Sequence, residues 1–190
     1  MDELLPHDGS AQLWRGFLDP EQARAALEGV KQEADWRQEH LRIQGQVIAL
    51  PRLTAWHGRR GYRYSGILHP PAPWTPTLQA LAQQLELRIG ETFNSVLCNR
   101  YRSGQDSVAW HADDEPELGR TPTIASISLG AARKFSLKRK DGAGQRIDVM
   151  LEPGDLLVMS GQTQRYWLHQ LPKSKKVAGE RINLTYRQVL

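Results

Sequence analysis

At 190 residues, the chain has a length that predicts a single folded domain. Its composition, 39% hydrophobic and 24% charged, is typical of globular proteins and excludes a fibrous or low-complexity chain. The net charge of +4 indicates a polyanionic partner only weakly, because many globular domains are slightly basic. The one cysteine, Cys98, excludes an internal disulfide framework and favours a reducing compartment.

No apolar run approaches the roughly 18 residues of a membrane-spanning helix. The N-terminal segment MDELLPHDGS is acidic and lacks the apolar core of a signal peptide. We therefore expect a cytoplasmic protein with no membrane partner, and we expect it to be a monomer.

The first predicted helix begins with the run Asp19-Pro20-Glu21-Gln22. This run offers an N-cap, a proline at the first helical position and a glutamine that can bond back to the cap. Apolar residues follow at helical spacing. They are Ala23, Ala26, Leu27 and Val30. We expect this helix to reach about Ala34.

A second helix is predicted to begin at Thr75-Pro76 and to end at Gly90. Its buried face is predicted to consist of Leu78, Leu81, Leu85 and Ile89. A loop at residues 42–46 and the stretch PRLTAWHGRRGYRYSG at residues 51–66, which is rich in arginine and aromatic residues, precede this helix.

After the second helix the pattern changes to short strands separated by turns rich in glycine, proline and aspartate. The predicted strands are Ser95–Tyr101, Ile124–Leu129, Arg133–Lys138, Arg146–Leu151, Asp155–Met159, Arg165–His169 and Ile182–Val189. This order predicts an α+β, mainly β protein, a double-stranded β-helix (jelly roll) braced by two N-terminal-side helices.

A metal site is predicted at His111, Asp113 and His169. Side chains at i and i+2 of an extended segment lie on the same side, so His111 and Asp113 can occupy neighbouring coordination positions. Two histidines and one carboxylate with open positions are typical of non-haem Fe(II) oxygenases. The alternatives are a surface aspartate with two unrelated histidines, or zinc, whose structural sites usually require four protein ligands.

An acid-binding segment is predicted in RINLTYR, where Arg181, Asn183 and Arg187 share one face of an extended strand. An arginine can bind a carboxylate through two parallel hydrogen bonds. Asn99 and Tyr101 repeat the i, i+2 spacing on another strand and are candidates for further donors. The alternative is a strand with an exposed polar face.

Tyr62 and Tyr64 lie among basic residues in the stretch at 51–66. Its basic residues and histidine are Arg52, His57, Arg59, Arg60 and Arg63. Aromatics interleaved with positive charge indicate stacking on nucleic-acid bases and neutralisation of phosphates. The alternative is a half-buried strand with solvated arginines.

Four motifs together resemble the AlkB-type Fe(II)/2-oxoglutarate dioxygenases. They are NxYxxGxDxxxWHxDDE, IASISLGAxRxF, LxxGDLLxMxGxTQxxWxHxxPK and RINLTYR. PRLTAWHG and YRYSG resemble the nucleic-acid-repair branch. The resemblance runs from about Pro51 to Val189. It implies one dioxygenase domain over residues 1–190, with a helix-and-loop extension at 1–50, a nucleotide-recognition region at 51–92 and the jelly-roll core at 93–190.

By this resemblance, His111, Asp113 and His169 would hold Fe(II), with 2-oxoglutarate and O2 as co-substrates. Arg181 would pair with the distal carboxylate of 2-oxoglutarate, helped by Tyr101. The remaining acid-side candidates would line the other side of the co-substrate and the metal. They are Asn99, Asn183 and Arg187.

The resemblance also implies substrate contacts. Asp114 would contact the damaged base, and Tyr64 and Tyr62 would stack on it or border it. Gln44 lies in the loop Ile43–Gln46, where some members insert a bulky aromatic into duplex DNA. This loop has no aromatic, which leaves single-stranded DNA or RNA open.

The implied function is oxidative demethylation of N-alkylated nucleobases, 1-methyladenine and 3-methylcytosine, with release of formaldehyde. The partner would be alkylated DNA or RNA. One alternative is a 2-oxoglutarate dioxygenase that acts on tRNA, protein or a small molecule. The other is a non-catalytic nucleic-acid-binding jelly roll.

Overall fold

A computed structural model describes residues 1–43, 45–64 and 67–190. The strands are β1 (Asp2–Glu3), β2 (Ser10–Trp14), β3 (His40–Ile43), β4 (Gln46–Ala49), β5 (Leu53–Gly58), β6 (Tyr62–Tyr64), β7 (Ile67–His69), β8 (Ser95–Tyr101), β9 (Val108–His111), β10 (Ile124–Gly130), β11 (Arg133–Arg139), β12 (Ile147–Leu151), β13 (Leu156–Ser160), β14 (Trp167–Leu171) and β15 (Arg181–Arg187). The helices are α1 (Pro20–Glu33), α2 (Pro76–Ile89) and α3 (Thr163–Tyr166), with a 3-10 helix at Pro116–Leu118.

Two antiparallel sheets form the jelly roll. The larger has the strand order β1-β2-β13-β10-β15-β8-β5, and the smaller has the order β12-β11-β14-β9. β15 lies between β10 and β8 in the middle of the larger sheet, and its side chains alternate between the two faces. Ile182, Leu184 and Tyr186 belong to the core under the helices, whereas Arg181 and Asn183 line a pocket between the sheets.

Helix α1 begins as the sequence predicts. The Asp19 carboxylate accepts a hydrogen bond from the backbone N–H of Gln22 at 2.8 Å, and the Gln22 side chain accepts one from the Asp19 N–H at 3.0 Å. This reciprocal cap satisfies two N–H groups that the first helical turn leaves unpaired. The helix ends at Glu33, with Ala34 as its C-cap, and buries Val30 against the larger sheet.

Helix α2 is also confirmed. The Thr75 hydroxyl accepts the N–H of Leu78, and Gly90 ends the helix in the left-handed conformation with φ 81°. Leu78 and Leu85 are fully buried in the same apolar cluster as Ile127 of the larger sheet, and the Tyr186 hydroxyl of β15 donates to the Leu78 carbonyl at 3.0 Å. Both long helices therefore cover the outer face of the larger sheet and leave its inner face to the pocket. Among the described residues, no helix has the length and apolar character to span a membrane.

Most predicted strands agree with the structure to within one or two residues, but two parts of the predicted secondary structure are wrong. Arg165 and Tyr166 do not belong to a strand, because their N–H groups bond to the carbonyl of Gln162 at 3.0 and 3.3 Å and form the turn of α3. The sequence predicts a loop at residues 42–46, but Arg42 pairs with Val47 in the β3–β4 hairpin. Gln44 itself lies outside the described residues.

Candidate metal centre and acid-binding pocket

The three predicted metal ligands converge. Atoms of His111, Asp113 and His169 that can bind a metal all lie within 4.8 Å of one another. The cause is strand register, because β9 and β14 pair antiparallel and place His111 directly opposite His169. Asp113 follows two residues after the end of β9. The histidine ring centroids are 4.3 Å apart.

His111 presents a free lone pair to this centre. Its Nδ1 lies 2.8 Å from the carbonyl oxygen of Ala109, which can only accept a hydrogen bond. Nδ1 therefore carries the proton in the neutral ring, and Nε2 is the unprotonated nitrogen. Nε2 lies 3.7 Å from Oδ1 of Asp113, so the histidine lone pair and the carboxylate face the same point.

Asp113 is held from two sides. Its Oδ2 accepts a hydrogen bond from Nη2 of buried Arg187 at 2.9 Å, and its N–H donates to Oε1 of Gln164 at 2.9 Å. Burial by itself would raise the pKa of Asp113, but the positive charge of Arg187 outweighs it and holds this pKa well below its usual range. Oδ1 has no hydrogen-bond partner among the described residues and is available for a metal ion.

His169 is neutral in this setting. Burial lowers the pKa of His169 to about 3, and the neighbouring His111 adds to the effect. The ring of Phe135 stacks on it at 5.5 Å. A neutral imidazole is the form that binds a metal ion, so burial prepares His169 for this role.

The donor set fits Fe(II). Two imidazoles and one carboxylate supply three ligands, the number that leaves room for a co-substrate on Fe(II), and all three line the pocket between the sheets. A structural zinc site usually has four protein ligands, and the described residues offer only these three at this point.

Arg181 occupies the other end of the pocket without a counter-ion. It is 1% exposed, and no carboxylate of the described residues lies within ion-pair distance. Its Nη2 donates to the hydroxyl of Ser128 at 2.8 Å, and its guanidinium lies 5.7 Å from the ring centre of Tyr101. Burial lowers the pKa of Arg181 to about 10. A buried cation without an anion is costly, so this position fits the carboxylate of a bound acid.

Asn99 and Asn183 face each other across β8 and β15. The Asn183 amide donates to the hydroxyls of Ser126 and Thr185, both at 3.0 Å. The Asn99 side-chain oxygen accepts from Nε of Arg52 at 2.9 Å. These contacts hold both amides at the pocket wall.

One pocket therefore unites the metal and acid-binding candidates. The predicted residues that line it are His111, Asp113, His169, Asn99, Tyr101, Arg181, Asn183 and Arg187. Its walls come from both sheets, which explains why its residues are scattered along the chain.

Comparisons with known proteins agree with this geometry. The family model described as the 2OG-Fe(II) oxygenase superfamily matches residues 10–187. The chain is 42% identical to the human alpha-ketoglutarate-dependent dioxygenase alkB homolog 3, across 93% of this chain and 65% of that protein. It is 36% identical to the DNA oxidative demethylase ALKBH2 of Arabidopsis thaliana, across 98% of this chain and 68% of that protein. The chain belongs to the AlkB-like 2OG-Fe(II) oxygenases.

The chain covers only part of the length of several AlkB-like relatives. Identity to the bovine DNA oxidative demethylase ALKBH2 is 41%, across 79% of this chain and 57% of that protein. The chain thus spans less than two thirds of the human and bovine relatives. The solved structure of OsALKBH1 superimposes with a TM-score of 0.65 at 20% identity and covers 94% of this chain and 97% of that one, which supports the fold.

The basic stretch at residues 51–66 of this AlkB-like chain contains two residues that are buried instead of exposed. The sequence pattern places Arg52 and His57 among residues that neutralise phosphates, but both are buried. Arg52 lines the pocket beside Asn99. His57 donates from Nδ1 to the Pro73 carbonyl at 2.7 Å and accepts at Nε2 from the N–H of Asp35 at 3.3 Å. Arg52 directly precedes β5 and His57 lies within it, next to the paired strand β8. No local sequence signal distinguishes these two residues from the exposed Arg59 and Arg60 of the same stretch.

The substrate candidates do not all lie in the pocket. Asp114 is exposed, and its carboxylate binds Nζ of Lys140 at 2.8 Å outside the lining of the metal pocket. Tyr62 and Tyr64 belong to β6, but their side chains lie outside the described part of the chain, as does Gln44. Gln164 and Ser128 were not predicted from the sequence. They contact Asp113 and Arg181 respectively, and a glutamine in a short helix or a serine in a strand gives no local signal of such a role.

Proposed function

We propose that this protein is an Fe(II)- and 2-oxoglutarate-dependent dioxygenase that removes methyl groups from ring nitrogens of nucleobases. The observation that carries the proposal is the buried, uncompensated Arg181 in the same pocket as the His111–Asp113–His169 centre. The AlkB-like relatives named DNA oxidative demethylases support the choice of nucleic acid as substrate. The proposed lesions are 1-methyladenine and 3-methylcytosine.

In the proposed reaction the bound groups supply the oxidation, and the residues of this chain bind and orient them. Fe(II), 2-oxoglutarate and O2 together supply the oxidation that hydroxylates an N-methyl carbon, and the resulting hemiaminal releases formaldehyde. His111, Asp113 and His169 would hold the iron. The Ala109 carbonyl fixes the orientation of the His111 ring, and Arg187 fixes that of the Asp113 carboxylate.

The acid would bind through residues of β15 and β8. Arg181 would pair with its distal carboxylate, where the penalty of burying an isolated charge favours an anion over water. Tyr101 borders this position, and Asn99 and Asn183 border the path from it to the metal centre. Arg187 stays with Asp113 and adds positive charge near the inner end of the acid.

Substrate selection would depend on charge and on ease of unpairing. Methylation of a ring nitrogen makes the base cationic and blocks its pairing edge, so the lesion is easier to flip out than a normal base. The carboxylate of Asp114 would attract this positive charge once the ion pair between Asp114 and Lys140 has opened. Tyr62, Tyr64 and Gln44 are proposed to border the base. Because the loop at residues 43–46 carries no aromatic, we propose a preference for single strands.

The test is a coupled product assay. Wild-type protein with Fe(II), 2-oxoglutarate and O2 should release formaldehyde from an oligonucleotide that contains 3-methylcytosine, and His169→Ala should not. His40→Ala, which changes an exposed histidine on β3, is the matched control and should keep wild-type activity. If the protein forms succinate but releases no formaldehyde from either methylated DNA or methylated RNA, its substrate would be a protein or a small molecule instead. Absence of both products would contradict the proposed enzyme.

A further inference from the structure

A second concave surface lies beside the metal-binding loop. It is a groove of about 810 Å³ whose polar residues include Asp114, Arg120, Lys140, Gln162, Gln164 and Arg165. None of its lining residues lines the metal and acid pocket. We call it the basic groove. The residues of the groove come from the loop after β9, the end of β11 and helix α3, so three separate parts of the jelly roll form it.

The basic groove has an excess of positive charge. Lys140 is paired with Asp114 at 2.8 Å, and Asp114 is the one acidic residue that lines the groove. Arg120 and Arg165 are exposed and have no ion-pair partner among the described residues. The guanidinium of Arg165 lies 5.2 Å from the ring centre of Tyr166, which restricts the side chain. The positive charges of Arg120 and Arg165 are therefore available to bind an anion.

The position of the groove links it to the metal centre. Gln164, in its wall, accepts the N–H of the metal-ligand candidate Asp113 at 2.9 Å. Asp114 follows Asp113 directly, and consecutive Cα atoms lie about 3.8 Å apart. The groove therefore begins directly beside the metal-ligand candidates, and a nucleotide whose base entered the metal pocket would have its neighbouring backbone close to the groove.

We propose that the basic groove binds the phosphodiester backbone next to the reactive nucleotide, with Arg120 and Arg165 as the phosphate-binding residues. This inference rests on the proposed function for the direction in which the strand runs. Charge complementarity supports a polyanion as the occupant, and exposed Gln162 and Thr121 add neutral hydrogen-bond donors along the same rim. Such contacts position the strand and carry no sequence preference, as a repair enzyme that acts in many sequence contexts requires.

Binding of a fluorescein-labelled single-stranded oligonucleotide of about ten nucleotides tests the inference. Fluorescence anisotropy is measured over a range of salt concentrations for Arg120→Gln, Arg165→Gln and the double variant. Each lost phosphate contact should reduce the slope of log K against log salt by about 0.7. Each single variant should weaken binding about tenfold at low salt, because a charge-assisted hydrogen bond is lost. KM for a methylated oligonucleotide should rise while kcat stays unchanged.

The control variant is Arg24→Gln, which removes the same charge from an exposed site on α1, behind the larger sheet. It should bind the oligonucleotide as the wild type does, with the same salt slope. If the groove variants bind like Arg24→Gln, the inference is overturned.

Two further outcomes separate this inference from its alternatives. A glutamate-rich peptide should compete poorly with the oligonucleotide, and tight peptide binding that the double variant abolishes would overturn the phosphate assignment in favour of an acidic protein partner. Binding does not require turnover. If wild-type protein binds the oligonucleotide through the groove but releases no formaldehyde, the proposed function fails and the groove assignment stands.

Discussion

Replacement of Arg181 by methionine should stabilise the ligand-free protein against unfolding and, at the same time, weaken its binding of 2-oxoglutarate. Methionine keeps the apolar bulk of the side chain and removes the charge. Burial lowers the pKa of Arg181 to about 10, which corresponds to a penalty of roughly 3 kcal/mol on its charged form. The hydrogen bond to Ser128 offsets about 1 kcal/mol of this penalty. The penalty acts at every pH below about 10, where the buried guanidinium is charged.

We therefore expect Arg181→Met to increase the free energy of unfolding of the ligand-free protein by about 1–2 kcal/mol, or roughly 2–8 °C in Tm. Affinity for 2-oxoglutarate should fall by about 2–5 kcal/mol, since one member of a buried charge pair is lost. Thermal unfolding with and without 2-oxoglutarate and Mn(II) measures both effects, because a ligand that binds the folded state raises Tm. Wild-type affinity for 2-oxoglutarate in the variant would refute the assignment of Arg181 as its carboxylate partner.

Three further variants test other residues of the site or its substrate contact, and a fourth, at Arg133, is a stability contrast outside the pocket. Arg133→Met is the contrast to Arg181→Met: Arg133 is equally buried but donates to three backbone carbonyls, so we expect a loss of about 2–3 kcal/mol of unfolding free energy, and a more stable variant would contradict this. Asp113→Asn should weaken Mn(II) binding by roughly 100-fold or more in a calorimetric titration, and an unchanged affinity would remove Asp113 from the ligand set. Arg187→Gln should weaken the same metal binding by about 10- to 100-fold because it orients the carboxylate, and a loss confined to 2-oxoglutarate affinity would assign it to the acid instead. Asp114→Ala should reduce formaldehyde release while succinate formation in the absence of nucleic acid continues, and an equal loss of both would exclude the substrate role.

Local sequence signals predicted the elements whose causes are local. The reciprocal cap at Asp19 and Gln22 predicts the start of α1, and the left-handed Gly90 predicts the end of α2. The alternation of Arg181 and Asn183 on one face of β15 follows from the pleat of a strand, and both side chains line the pocket.

Features that depend on pairing between distant strands could not be derived from local signals. The convergence of His111 and His169 depends on the register of β9 and β14, which lie far apart in the chain, so only the combination of distant motifs indicates it. Arg52 belongs to a stretch that indicates exposed positive charge, but the pairing of β5 with β8 buries it beside Asn99. The monomeric state and cytoplasmic location stay predictions.

The position of Asp114 connects the two proposed binding surfaces. It follows the metal-ligand candidate Asp113, yet its carboxylate is paired with Lys140 at the basic groove. For Asp114 to contact a cationic base, this ion pair has to open. A phosphate bound in the groove would offer Lys140 another anion and so favour the opening.

A crystal structure of the protein with Mn(II) and 2-oxoglutarate would decide whether one pocket holds both the metal ion and the acid. We expect His111, Asp113 and His169 to bind the metal ion, and the distal carboxylate of the acid to pair with Arg181. A metal ion bound elsewhere, or an acid whose carboxylates do not reach Arg181, would refute both assignments.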